Sequence, residues 1–494
     1  MKENYLQSSL WDFMYEEKHI DKPIRLIELF SGIGAQFKAL KRLTDNVESY
    51  KTCEWAIPSI AAYNAIHIKD FTDYSASKSK EELISYLDGN ISSNYDNPCN
   101  VRKLKESKLR EIYNNCIATH NLMNIMKVKG KDLQIVDTDK YEYIMTYSFP
   151  CQDLSLAGKG KGMSVSQADG GTRSGLLWEV ERILTELSRE RERALPQILL
   201  MENVPEVISS KNIRDFQKWE SFLTNLGYKN YVEILNAKDY GIPQNRRRCF
   251  MISLLGEYTY HFPSKIKLTK KLKDMLESNV DEKYYLSSID ISRISNWKAQ
   301  QKPLENIISS QDTNKVCPTL TARGAGEEHS GMILVSNDDN LTPCDYKSPI
   351  KIANYGNGHH AKDIYDENGL SPTITTGNHG LGQAIAIKNA TKQGYLLATD
   401  GDGIDISTRM QYHRGNVQKN TCQTLTTMGG ENVGVLSNLR IRKLTPCECM
   451  RLMGFEDADY QAMVDAGLSN SAIYHCAGDS IVVNVLENIF KNLM

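Results

Sequence analysis

Four apolar runs constrain the fold of this chain more than any other feature. They are IRLIELF (24–30), YIMTYSF (143–149), QILLMENV (197–204) and RRRCFMISLL (246–255). Each is too short for a membrane helix and too continuously apolar for a strand with one wet face. Segments of helical period lie between them, as in AQFKALKRL (35–43). Apolar strands alternating with helices predict an α/β fold, with a mostly parallel sheet buried on both faces. Residues 71–130 break this rhythm with charged helical patterns (EELISYL, LKESKLREIY) and read as a helical insertion.

Composition shifts once. Residues 315–440 hold 16 of the 32 glycines and five of the ten histidines, in short β-rich runs separated by turns. That quarter reads as a second, smaller domain, and after 440 the pattern returns to helix, strand, helix. No apolar run approaches the ~20 residues of a membrane span, so a soluble, cytoplasmic protein is expected. Eleven cysteines, an odd number with no CxxC pair, argue against a disulfide framework. Cys447 and Cys449 lack a matching His/Cys set, so no metal site is expected. The net charge of −2 does not mark a nucleic-acid binder; any such binding must use local patches.

Five segments carry chemistry. Glu28-Leu29-Phe30-Ser31-Gly32-Ile33-Gly34 ends a strand in a glycine turn and opens a helix, which lets backbone approach a nucleotide-like ligand. It is shorter than GxGxxG, which argues against a nicotinamide dinucleotide. Cys53-Glu54-Trp55 follows the next strand; the acid suits ribose hydroxyls and the indole can stack on adenine. Pro150-Cys151-Gln152 lies just past a strand, where parallel-sheet enzymes place reactive groups, and Cys151 is a candidate nucleophile. AGKGKGMSVSQADGGTRSG (157–175), glycine-rich and polar, follows it and reads as a lid. Glu202, in Met201-Glu202-Asn203-Val204, ends another strand with a carboxylate able to hold a proton if burial raises its pKa. In Gln244-Asn245-Arg246-Arg247-Arg248, the strand period of two puts Arg246 and Arg248 on one side, where paired guanidiniums suit a phosphate or a ring oxygen gaining charge. A loose repeat also recurs: CPTLTARGAG (317–326), SPTITTGNHG (371–380) and CQTLTTMGGEN (422–432). These are either three similar strands with tight turns or a set of turns facing one extended ligand.

In this order the segments resemble the motifs of the cytosine-C5 methyltransferases. The resemblance covers about 22–255 and 438–494, and includes Arg442-Lys443-Leu444-Thr445-Pro446, Arg451-Leu452-Met453-Gly454-Phe455 and Ala477-Gly478-Asp479-Ser480-Ile481. It implies an N-terminal extension (1–22), a Rossmann-like catalytic domain (23–262, with the 71–130 insertion), a target-recognition domain (265–437) and a return to the catalytic domain (438–494). It implies a cofactor, S-adenosylmethionine, held by Phe30, Ser31, Gly32, Gly34, Glu54, Trp55, Asp132, Leu133, Pro150, Leu176, Asp479, Ser480 and Ile481. Asp70 and Asp73 rival Asp132. Glu28 stands where the family commonly has Asp, Ala35 where it often has Gly, and Asp479 where it has Asn.

The resemblance further implies a mechanism. Cys151 adds to C6 of a flipped cytosine, Glu202 holds a proton at N3, and Arg246 or Arg248 binds O2 or a phosphate. Gln152, Ser155, Lys159, Lys161, Thr319, Thr373 and Thr424 are candidate DNA contacts. No Cys-Phe-Thr tripeptide, the mark of the tRNA-methylating branch, occurs, which favours double-stranded DNA. A monomer on DNA and a cognate restriction endonuclease are the partners this family leads one to expect. The rival readings are a tRNA methylase, a non-catalytic DNA-binding regulator that kept the fold, and a nicotinamide oxidoreductase.

Overall fold

The computed structural model describes residues 16–150 except 96, 173–189, 195–285 and 440–494. Between 351 and 437 it describes 351–354, 363–365, 384–388, 395–399, 401–405, 416–425 and 433–437. Two compact units result: residues 1–242 with 246–269 and 450–494, and residues 243–245 with 270–449.

In the first unit, β1 (Ile24–Leu29), α1 (Ala35–Leu43), β2 (Val47–Cys53) and α2 (Ile57–Tyr63) lead into the insertion helices α3 (Lys80–Leu87) and α4 (Glu106–Ala118). There follow β3 (Glu142–Tyr147), α5 (Leu177–Arg189), β4 (Ile198–Asn203), α6 (Ile213–Asn225), β5 (Tyr228–Asn236) and β6 (Arg247–Leu255). Helices α7 (Asp457–Asp465), α8 (Asn470–Asp479) and α9 (Val483–Lys491) complete it. The six strands form one sheet in the order β2-β1-β3-β4-β6-β5. β1 pairs parallel with β2 and β3, and β3 pairs parallel with β4.

The run at 246–255, expected among parallel strands, is antiparallel to both β4 and β5. The physical reason is the connection. Only the tight turn Ala237–Tyr240 and a short extended stretch join β5 to β6, and a parallel return needs a crossover of about a dozen residues. The pattern after 440 also differs from expectation. The strand Arg440–Lys443 is followed only by helices among the described residues, and the apolar Ile481 and Val482 are buried at the entry to α9.

β3 and β4 are buried along their whole length, as unbroken apolar runs require. Leu177, Val180, Ile183, Leu184 and Leu187 repeat at helical spacing and are the buried stripe of α5. With Trp219 of α6 they join Met145, Tyr147, Leu199 and Met201 of the sheet in one core. Full burial is worth about 1.5–3 kcal/mol for each such aliphatic side chain. The Trp219 indole N–H donates to the Tyr147 hydroxyl at 3.2 Å, so the largest buried ring keeps its polar atom paired.

The insertion has a small core of its own. Leu83, Leu87, Ile91, Leu109 and Ile112 pack with Ile57 and Ile60 of α2. Ser79 and Glu82 form a reciprocal cap that starts α3. Parallel bridges from Ser92 to Ala56 and from Asn121 to Thr52 tie the insertion back to the end of β2.

The second unit, described by itself, contains strands where the glycine-rich quarter led one to expect them. Val417–Gln418, Gly403–Asp405, Val433–Ser437 and Arg440–Lys443 form one sheet, and Ala384–Lys388 pairs with Tyr395–Thr399. Buried Asp402 accepts from the backbone N–H groups of Thr399 and Asn420 and from Lys419 Nζ at 2.6 Å. No helix among the described residues is long and apolar enough to cross a membrane.

Candidate active site

The chain leaves β1 toward β2 but leaves β3 toward β4, so the strand order reverses between β1 and β3. At such a reversal the carboxyl ends of the strands open a crevice. Phe30, Gly32 and Gly34 lie there with positive φ (59°, 52° and 74°), which folds the chain back sharply before α1. The Phe30 and Ser31 N–H groups donate to Cys53 O, which fastens this turn to the end of β2. Gly32 N donates to Glu54 Oε2 at 3.0 Å, and Ala56 N to Glu54 Oε1 at 2.8 Å. Each Glu54 oxygen therefore keeps accepting capacity. Burial raises the Glu54 carboxyl above its usual range, nearby Asp479 adds to the rise, and the two backbone donors oppose it. Trp55 is half-buried beside it. No atom lies within 4 Å of where a Cβ on Gly32 would sit, so the space at this turn is open.

Gly34 is different. A Cβ there would meet Tyr63 and His67 ring atoms at 2.6 Å. His67 Nε2 is 2.8 Å from Ile33 O, and since a carbonyl only accepts, Nε2 must carry the proton. Burial holds the His67 imidazole neutral, down to about 4. Gly34→Ala combines left-handed strain with this overlap, and should cost about 2–4 kcal/mol of stability. A thermal midpoint unchanged from wild type would contradict it.

Two side chains here were not found from the sequence. Asn121 accepts from Glu54 N at 3.0 Å and donates to Glu54 O at 2.9 Å, so it holds the backbone of the candidate ribose acid. It sits 67 residues away, within the insertion, and no local pattern marks it. His67 is the second. Asp132 accepts from Lys129 N in a local turn, and Leu133 is wholly buried in the main core. Asp70 and Asp73 cap their own loop, on Thr72 and Tyr74 and on Ser75 and Asn114 respectively. Leu176 ends the turn Arg173–Leu176 and packs on the main core.

The second cluster lies at the ends of β3, β4 and β6. Asn203 Nδ2 donates to Phe149 O at 2.9 Å, which fixes the backbone just before Pro150. Cys151, bonded to Pro150, lies outside the described residues, as do Gln152, Ser155, Lys159, Lys161, Thr319 and Thr373. Arg248 Nε stands 3.0 Å from Glu202 Oε1, with both side chains largely shielded from water. Burial raises the Glu202 carboxyl, while Arg248 and Arg246 pull against it; burial wins. Arg246 is buried and donates through Nη2 to Gly478 O at 3.0 Å and Ser480 O at 2.7 Å, on either side of Asp479. Arg246, Arg248, Phe250 and Ile481 line one narrow cavity, and Arg247 is exposed, as a period of two requires. In the second unit, the Thr424 hydroxyl donates to Asn245 O at 3.0 Å and Leu425 N to Gln244 Oε1 at 3.2 Å.

Chemically, the crevice offers a carboxylate and an indole beside open space. The second cluster offers a buried carboxyl able to hold a proton next to two fixed cations.

A family model described as C-5 cytosine-specific DNA methylase matches residues 99–494. Orphan methyltransferase M.SssI of Spiroplasma monobiae is 37% identical over 324 residues, 62% of this chain and 81% of its own. Type II methyltransferase M2.ScrFI of Lactococcus lactis subsp. cremoris is 29% identical over 475 residues, 95% of this chain and 99% of its own. Orphan methyltransferase M.SPRI of Bacillus phage SPR is 27% identical over 435 residues, 76% and 86% respectively.

Proposed function

The chain belongs to the C-5 cytosine-specific DNA methylases, enzymes that methylate cytosine in DNA, and from that premise we propose its mechanism: methyl transfer from S-adenosylmethionine to C5 of a cytosine flipped out of a specific duplex sequence, through a covalent bond from Cys151 to C6. The observation that carries this reading is the shielded Glu202–Arg248 pair at the end of β4, beside the strand that leads through Ser148 and Phe149 to Pro150 and Cys151.

Cytosine C5 is a poor nucleophile until the ring is activated. Cys151 Sγ adds to C6, and the electron pair of the C5–C6 bond moves into the ring toward N3 and O2. Glu202 holds a proton at N3, so the ring does not carry the full negative charge; its burial raises the carboxyl and so favours keeping that proton. Arg248 orients Glu202 and offers remaining donors to O2. Arg246, buried on the Gly478 and Ser480 carbonyls, fixes the segment that carries Asp479. C5, now enamine-like, takes the methyl group. Loss of the C5 proton to a base then returns electrons to the ring and expels Cys151.

When bound, S-adenosylmethionine supplies an electrophilic methyl group on a sulfonium. Glu54, still able to accept from ribose hydroxyls, Trp55, and the open face at Gly32 fit it. Base extrusion costs a few kcal/mol, which contacts from residues 152–175 would offset.

A duplex containing 5-fluorocytosine tests the covalent step. Fluorine cannot leave as the proton does, so the adduct should persist, and peptide mapping should place it on Cys151. Protein that binds cofactor and duplex yet forms no adduct would overturn the proposal. Glu202→Gln keeps the shape but cannot supply the proton, and should lower kcat roughly 10²- to 10³-fold; a rate within a factor of about two of wild type would remove Glu202 from the mechanism.

A further inference from the structure

The insertion does more than decorate the fold. The segment after α3 bridges to the turn after β2: Ser92 N donates to Trp55 O at 2.7 Å, and Ile57 N donates to Ser92 O at 2.9 Å. This places Tyr95 against α8. Its ring stacks on His475 with centroids 3.6 Å apart and planes 6° from parallel. Tyr95 holds this position with φ of +65°, a conformation costly to a bulky residue. His475 Nδ1 in turn stands 2.9 Å from Asp479 Oδ2, one helical turn on. The Tyr95 hydroxyl is buried. Burial pushes that phenol upward, and Cys476, Asp479 and Glu54 add to the rise.

A carboxylate that serves a ligand must be held in place by its neighbours. Asn121 and the turn at Gly32 fix Glu54. Asp479 is exposed, and its Oδ2 lies 2.9 Å from His475 Nδ1. The ring of His475 is held by the Tyr95 face.

We propose that Tyr95 and His475 are positioning residues of the cofactor site, a stacked pair by which the insertion, itself fastened at Trp55 next to Glu54, orients Asp479. The inference rests on the cofactor reading above. Tyr95 acts through His475 on a carboxylate facing the ligand, so it should govern affinity for S-adenosylmethionine and not the chemical step.

The test uses the full chain, S-adenosylmethionine and duplex DNA. Tyr95→Ala should raise the Kd and KM for S-adenosylmethionine about 10-fold or more, with kcat within about twofold. Tyr95→Phe, which keeps the stacked face, should restore both. In an Asp479→Asn background, Tyr95→Ala should add little further, because the two changes break one chain of contacts. If Tyr95→Ala also lowers the thermal midpoint, His475→Gln decides: a similar rise in Kd with the midpoint retained supports the proposal. An unchanged Kd in Tyr95→Ala or in a stable His475→Gln overturns it, as does full additivity with Asp479→Asn. Wild-type protein that fails to bind S-adenosylmethionine would overturn the cofactor reading, and the inference with it; wild-type binding with insensitive variants overturns the inference alone.

Discussion

Cys151→Ala should lower the rate of methyl transfer about 10⁴-fold or more, while cofactor affinity stays within a factor of about three. The size follows from what the sulfur does. Without addition at C6, C5 must attack a sulfonium from an intact aromatic ring. A 10⁴-fold loss corresponds to about 5.5 kcal/mol of transition-state stabilisation, the scale seen when a covalent nucleophile is removed from a working site. Glu202 and Arg248 would still hold the base, so the loss should fall on kcat. Single-turnover assays with labelled cofactor and duplex DNA make the comparison. A variant with more than a tenth of the wild-type rate would mean that C5 is activated some other way.

The second large effect concerns stability. Glu28, at the end of β1, is fully buried, accepts from Phe37 N at 3.3 Å and lies 2.5 Å from the Tyr63 hydroxyl, which is itself 2.7 Å from Ser49 Oγ. Burial pushes its carboxyl up to about 8, against the two donors that favour the anion. The folded protein thus keeps a proton that the unfolded chain releases near 4.5. This group's contribution is greatest below pH 4.5, falls as pH rises toward 8, and is constant above that. At about 1.36 kcal/mol per pH unit, the interval sets a ceiling of about 5 kcal/mol. Glu28→Gln resembles the protonated form and removes the titration. Its thermal midpoint should gain on wild type between pH 5 and pH 8.5, by about 2 °C for each kcal/mol in a unit of this size. Parallel pH profiles for the two proteins would show that Glu28 does not hold its proton in the folded state.

Much of this site was legible in the chain because its parts are local. A strand end, a glycine turn and the helix after it occupy consecutive residues, so Phe30–Gly34 could be placed at a crevice from period and turn chemistry alone. The same holds for Glu54 after β2 and Glu202 ending β4. The period of two put Arg246 and Arg248 on one side, and the structure has them lining one cavity. The direction of β6 was misjudged because an apolar run looks the same in either orientation, and only the short link after β5 makes it antiparallel. Glu28, read as a departure from a family pattern, gains its meaning from Tyr63 and Ser49, whose positions no motif announces.

The sequence alone determined which candidate residues sit at which strand ends, since hydrophobic period and turn residues act over a few positions. Tertiary structure decided what surrounds them. Asn121 on Glu54, His67 under Gly34, Asn203 on Phe149 and Tyr95 on His475 are contacts between segments up to several hundred residues apart. Such contacts depend on packing and on burial of polar groups, and burial, which raises the Glu28 and Glu202 carboxyls, exists only once the chain has closed around them.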